Sequence, residues 1–274
     1  MGAMSAQTTT SDAPSNAASA AGWGRADLQI HSDAGDGMAS AEEIFDLIEL
    51  RAELDVVAIT DHDDIAGALL ARDVHARGGY HFDFVPGIEV TTRGGHLLAL
   101  WVDQPVSSFR SLGDTVEEIH RLGGLAVIPH PFSLLTRSVG RRGLNRLVDA
   151  GDAERVPDGI EVENPTSAGW DTGDRARRLN AQLWQLATLG GSDAHFLASI
   201  GAAFTLFPGR STEDLRTAIL ERRTLAVAGR KPSLREIGWR TILRQQVSGL
   251  SVTPRKVLGR PLGRLGRRRE DANQ

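Results

Sequence analysis

The sequence predicts an α/β barrel, with parallel strands inside, helices outside and its chemistry at the carboxyl ends of the strands. Three observations predict it. Short apolar runs alternate with helix-patterned segments from about residue 25 onward. The chain has 274 residues, 41% of them hydrophobic, which suits one large core of the size that α/β barrels have. Polar residues of metal-ligating type follow directly on the apolar runs, where a barrel of this kind gathers its functional groups at one mouth.

In chain order, residues 28–31 read as a strand, 41–52 as a helix, 56–60 as a strand and 65–77 as a helix. Residues 84–90 and 96–102 are two strand-like runs separated by Gly94-Gly95, the signature of a hairpin that interrupts the βα repeat. Residues 115–122 follow as a helix, 126–128 and 159–162 as strands, 174–186 as a helix, 187–190 and 202–207 as strands, and 212–221 as a helix. Residues 1–24, rich in Ala, Ser and Thr with little to bury, are expected to be disordered. The barrel domain is expected to span 25–229, followed by a basic, partly helical extension over 230–274.

That extension holds twelve Lys and Arg against three acidic residues, about +9, so a chain of net charge −4 carries about −13 elsewhere. A tail of this sign suits an acidic partner, anionic lipid or nucleic acid, but it has no interleaved stacking aromatics, and the acidic remainder is a poor track for a polyanion. A nucleic-acid partner is therefore disfavoured. The pattern from Ile237 suggests an amphipathic helix that docks on the barrel or on a second copy of the chain, with Trp239 and Ile242 as anchors. There is no cysteine, which excludes disulfides, thiolate metal sites and a Cys nucleophile. With no long apolar stretch and no signal-peptide pattern, a soluble, cytoplasmic protein is expected.

The chemistry lies in six short motifs: Asp27-Leu-Gln-Ile-His-Ser-Asp-Ala-Gly-Asp-Gly37, Ile59-Thr-Asp-His-Asp63, Gly87-Ile-Glu-Val90, Gly95-His96, Ile128-Pro-His-Pro131 and Gly191-Ser-Asp-Ala-His195. Within them His31, Asp36, His62, Glu89, His96, His130, Asp193 and His195 are imidazoles or carboxylates, the ligands that borderline and hard divalent ions take. Five of the chain's eight histidines fall in these motifs; His75, His81 and His120 are read as ordinary structural groups. Side chains alternate along a strand, so the pairs Gln29 with His31 and Asp193 with His195 each point to one side. A buried, unpaired Glu89 would be costly, and bridging two cations removes that cost.

This ordered set resembles the PHP (polymerase and histidinol phosphatase) superfamily of metal-dependent phosphoesterases over roughly residues 27–207, and within it the stand-alone branch related to CehA/McbA hydrolases. The resemblance implies a distorted seven-stranded TIM-like barrel holding two to three divalent ions, Zn, Mn or Fe. One ion would take position 29, His31, Glu89 and Asp193; a second Glu89, His96 and His130; a third Asp36, His62 and His195. The nucleophile implied is a metal-bound hydroxide held by Glu89, His62 and His195. The family pattern has His where this chain has Gln29. Three outcomes are open: ligation through the amide oxygen, water in the gap, or loss of the first ion.

Arg137, Arg141 and Arg142 are the candidate clamps for phosphate oxygens, and Asn164, at a strand end, is a candidate substrate contact. The expected activity is a phosphatase or phosphodiesterase acting on a small phosphorylated metabolite or nucleotide, with phosphate anion as a ligand. The alternatives are a carbamate or carboxylic ester hydrolase on the same ions, and a catalytically degenerate binding module weakened by Gln29.

Overall fold

The computed structural model describes residues 22–134, 136–165 and 172–245. Nine strands form one sheet in the order β7-β6-β5-β4-β3-β2-β1-β8-β9, curled into a nearly closed barrel. β1 (Trp23–Ile30), β2 (Val56–Ile59) and β3 (Asp83–Thr92) are parallel, as are β5 (Leu125–Ile128), β6 (Gly159–Glu163) and β7 (Ala187–Gly190). β4 (Gly95–Leu100) runs against both β3 and β5. The expected hairpin is therefore present, but its register pairs Thr92 with Gly95, so Arg93 and Gly94 make the turn and Gly95 already belongs to β4.

The seam between β7 and β1 is filled by β8 (Ala203–Pro208), antiparallel to β1, and β9 (Leu225–Ala228), antiparallel to β8. Thr205 stitches it: its hydroxyl accepts from the Gly190 N–H and donates to the Gly190 carbonyl, both at 3.0 Å.

The barrel interior is divided along its axis. Toward the amino ends of the strands, Leu28, Val56, Val85, Leu98, Val127 and Leu189 form an apolar plug that helix α6 (Thr212–Leu220) covers with Leu215 and Ile219. Toward the carboxyl ends the interior turns polar. Glu89 lies directly across from Leu98 in the β3–β4 pairing, so it faces inward just above that plug. Gln29 and His31, two residues apart at the end of β1, both face Glu89.

Helices α1 (Ala41–Arg51) and α2 (Ala66–Gly78) cover one flank with Ile44, Phe45, Ile48 and Val74. Ser40 and Glu43 close a reciprocal cap on α1, a device that contributes about 1 kcal/mol. Helices α3 (Leu112–Arg121) and α4 (Arg141–Asp149) cover the opposite flank with Val116, Ile119 and Leu144.

The helix expected over 174–186 is shorter: α5 spans Gly173–Leu179, and the chain then widens into a π turn over Asn180–Trp184. Asn180 ends it by bonding both the N–H and the carbonyl of Leu186 at 2.9 and 2.8 Å. The amphipathic helix expected from Ile237 is also broken. α7 (Leu234–Ile237) stops at Gly238, whose φ of 82° is left-handed, and helical backbone resumes at Trp239. No helix among the described residues is long and apolar enough to cross a membrane.

Candidate metal centre

The carboxyl ends of β1, β2, β3, β5 and β7 deliver one cluster; β4, running the other way, delivers His96 from its start, and β6 stands behind it with Glu161. Glu89 is the hub. Its Oε2 lies 3.2 Å from His31 Nε2 and 3.9 Å from His62 Nδ1, and its Oε1 lies 2.6 Å from His96 Nδ1 and 3.1 Å from His130 Nε2. Asp193 faces His31 at 3.3 Å, and Asp36 sits between His31 and His195 at 3.6 and 3.2 Å.

Donor atoms gather into three overlapping groups, each within 4.8 Å: His31, Asp36, His62 and His195; His62, Glu89 and His96; His31, Glu89 and Asp193. These groups hold seven of the eight ligand candidates, and the eighth, His130, joins them through Glu89. His31 and His62 are each shared between groups, a detail that sequence order does not carry.

The donor set fits divalent cations better than it fits protons. His31 Nδ1 and Nε2, His96 Nδ1 and Asp36 Oδ1 are buried yet make no well-formed hydrogen bond among the described residues. Imidazole lone pairs and carboxylate oxygens aimed at a common centre are what a cation satisfies. Protonation is also uneven. Burial lowers the His62 pKa to about 4, which leaves a neutral, ligand-competent ring. Burial works the same way on His130, but the adjoining Glu89 outweighs it and holds that ring up at about 9. Burial raises Asp193, while His31, His195 and His130 overcome it and bring it down to about 2. Glu89 is likewise held well below the carboxylate range against its burial, by the four imidazoles around it.

A second layer fixes these ligands. Ser138 and Thr136 hydroxyls reach His130 Nδ1 at 3.0 and 3.3 Å, which aims Nε2 at Glu89. His195 Nδ1 sits 3.0 Å from the Asp193 carbonyl, which aims its Nε2 at Asp36. Asp61 takes the N–H and hydroxyl of Ser32, and Asp63 takes the N–H and hydroxyl of Thr91, so the acids flanking His62 brace the backbone beside His31 and Glu89. Burial raises Asp27 to about 6, and it accepts N–H bonds from Ser192 and Gly201 that tie β1 to the loop carrying Asp193. His130, Asp193 and Asp63 adopt φ of 29°, 51° and 56°, a region that costs a non-glycine residue about 1–2 kcal/mol. Of the nine left-handed non-glycine residues described, His130 and Asp193 are ligand candidates and Asp63 is a neighbour of one.

Among known families, the PHP-associated family matches residues 174–224. The uncharacterized protein MJ1587 of Methanocaldococcus jannaschii is 31% identical over 150 residues, which cover 51% of this chain and 81% of that protein. A crystal structure of a two-domain protein from Bacteroides vulgatus containing a predicted PHP-like metal-dependent phosphoesterase superposes with a TM-score of 0.58 at 19% identity, covering 82% of this chain and 70% of that one. The chain belongs to the PHP superfamily. A further match in shape, the lesion-specific endonuclease PfuEndoQ from Pyrococcus furiosus, gives a TM-score of 0.52 at 18% identity over 73% of this chain and 56% of that one.

Against the PHP pattern, the departure at Gln29 resolves into a defined geometry. Its Nε2 donates to Glu89 Oε2 at 3.1 Å, and its Oε1 accepts from Asn164 Nδ2 at 3.3 Å. Asn164 Nδ2 also reaches Glu161 Oε2 at 3.1 Å, and burial pushes the Glu161 carboxyl up to about 8. Gly191 makes room for this chain of contacts, since a Cβ there would collide with Glu161. Of the three outcomes open at position 29, this geometry opposes ligation by the amide oxygen, which faces Asn164 and away from the cluster.

Asn164 is accordingly spent on Gln29 and Glu161 and does not line the cavity above the ions' ligands. The three arginines are not brought to it either. The Arg137 guanidinium reaches the Thr92 carbonyl and lies over the Phe109 ring, while its backbone carbonyl holds the His96 N–H. Arg141 and Arg142 are exposed in the first turn of α4. The cationic side chain lining the cavity among the described residues is Lys231, which no motif marked.

Proposed function

We propose that the protein is a metal-dependent hydrolase that cleaves phosphate esters, as a phosphatase or phosphodiesterase of a small phosphorylated metabolite or nucleotide. The observation that carries the reading is Glu89: one buried carboxylate, two oxygens, four imidazoles. The PHP-like phosphoesterase and endonuclease among its structural neighbours support hydrolysis of phosphoric esters.

Two divalent ions, Zn, Mn or Fe, would be held by Glu89, His96 and His130 and by Asp36, His195 and His31, with His62 facing both. Ions bound there supply Lewis acidity, which polarises an ester oxygen and lowers the pKa of water. The protein's own part is to set those positions. Ser138 and Thr136 hold the His130 ring in its orientation, the Asp193 carbonyl fixes the tautomer of His195, and Glu89 keeps negative charge among four imidazoles. Gln29 occupies the remaining corner as a donor to Glu89, which favours two ions over three.

Purified protein loaded with Mn²⁺ is expected to turn over bis(p-nitrophenyl) phosphate or p-nitrophenyl phosphate, to lose activity with a chelator and to be inhibited competitively by inorganic phosphate. Turnover of p-nitrophenyl acetate alone would move the reading to a carboxylic ester hydrolase. No turnover by this chain, with turnover restored in Gln29→His, would make it a degenerate binding module.

A further inference from the structure

A cavity of about 500 Å³ opens above the ligand cluster, and its two sides come from different parts of the chain. The floor is Asp36, His62, Glu89, His96, His130, Asp193 and His195. The opposite wall is the last described segment, residues 231–245, which contributes Lys231, Leu234, Ile237 and Ile242 and meets Phe196 beside His195. Ile237 and Ile242 are half-buried, whereas Trp239, expected to be an anchor, is 68% exposed.

This wall is held in place. The Gly229 N–H bonds the Ala202 carbonyl at 2.9 Å as the chain leaves β9. Ser233 and Glu236 form a reciprocal cap on α7, and Arg230 reaches Glu236 at 2.9 Å. α7 packs on the turn Leu197–Ser199, which follows directly on the His195 motif. The segment is therefore braced on the same loop that presents a metal ligand.

We propose that residues 231–245 form the substrate wall of the active site: Lys231 pairs with the phosphoryl oxygens, and Leu234, Ile237, Ile242 and Phe196 hold an apolar organic group. The substrate class this selects is a phosphate ester with an aryl or aliphatic substituent. The inference rests on the phosphoesterase reading above and extends it from the reaction to the leaving group. The chemistry is complementary. An ammonium offers an anion a compact charge without fixed bidentate geometry, and a one-sided apolar wall gains by taking hydrocarbon out of water.

The test uses the full chain, Mn²⁺-loaded, in three forms besides wild type: Lys231→Ala, Lys231→Arg, and Ile237→Ser with Ile242→Ser. Titration calorimetry with inorganic phosphate is expected to show Kd about tenfold weaker in Lys231→Ala and close to wild type in Lys231→Arg, with unchanged metal content. In Lys231→Ala, KM for p-nitrophenyl phosphate should rise while kcat stays within about twofold. The double Ile variant should reduce the kcat/KM preference for p-nitrophenyl phosphate over glycerol phosphate by about tenfold.

An unchanged phosphate Kd in Lys231→Ala, no phosphate binding by wild type, or an aryl preference that survives the double Ile variant overturns the proposal. Phosphate binding that depends on Lys231 in a protein that hydrolyses neither ester would sink the hydrolase reading while leaving the anion site standing. Hydrolysis of both esters indifferent to all three variants would do the reverse.

Discussion

The histidines outside the barrel mouth and those inside it differ in what they face. Outside, each ring has partners of its own: His75 the Phe82 carbonyl at 2.7 Å, His81 the Glu49 carboxylate at 2.7 Å, His120 the Asp158 carboxylate at 3.0 Å. Inside, His31, His62, His96 and His130 crowd one carboxylate, and several of the buried nitrogen and oxygen atoms form no adequate hydrogen bond. A proton serves one donor and one acceptor; a divalent ion serves several donors at once. The arrangement inside therefore reads as ligation, and the one outside as ordinary side-chain anchoring.

The comparison breaks first at Glu89. Glu89→Gln should drop bound metal below that of wild type and cut turnover by more than about 100-fold, beyond the loss typical of outer-layer changes. Elemental analysis with a circular dichroism check on folding reads it; a variant with full metal content would mean that the imidazoles do not depend on the shared carboxylate.

A smaller change sharpens it at the corner where an amide stands among ligands. Gln29→His should raise the bound ions by one and tighten that ion by about 10–100-fold over wild type, measured by elemental analysis and competition with a chelator. Three ions in wild type, unchanged in the variant, would show that Gln29 is no obstacle.

The smallest effect is expected at His120, half-buried between Asp158 and the Glu154 carbonyl. The Asp158 carboxylate raises its pKa against the opposing pull of burial. A raised histidine pKa stabilises the fold fully below the unfolded value of about 6.5, and that stabilisation is lost as pH rises through the folded pKa. His120→Ala should lower Tm at pH 6 by no more than about 3 °C, given solvent screening of the pair, and by less at pH 9. Metal content should not move; if it fell, the division between the two kinds of histidine would fail.

Much of this was legible in the sequence because the chemistry restricts residue type. Few side chains other than His, Asp and Glu can hold a hard or borderline cation, so His62 after β2 or His130 after β5 declares itself. Helix α4 escaped notice because it buries only Leu144 and Leu147 among Arg and Gly residues, and β9 because it is a four-residue strand without a fully buried face. Gln29 was visible as an exception, but its role depends on Asn164, 135 residues away. Ile242 was visible as an anchor of the segment after β9, but Lys231 is a common residue type on a polar stretch, and only the path of the chain carries it over the cavity. The three arginines fitted by charge and proximity in sequence, but Arg137 turns to the Thr92 carbonyl and Arg141 and Arg142 begin α4 on its exposed surface.

The position of the first strand has a consequence for the order in which the molecule is built. β1 pairs on one side with β2 and on the other with β8, and Asp27 bonds the N–H of Gly201, 174 residues later. A chain emerging from a ribosome can pair β1 with β2 early, but it leaves the other edge of β1 open until β8, with Thr205 opposite Ala26, has followed. Closing such separations is slow, and an unpaired edge is a site for misassociation while it lasts. The ligand set is complete only when His195 has joined residues near the start of the barrel, so tight metal capture should come late in folding and mark its completion.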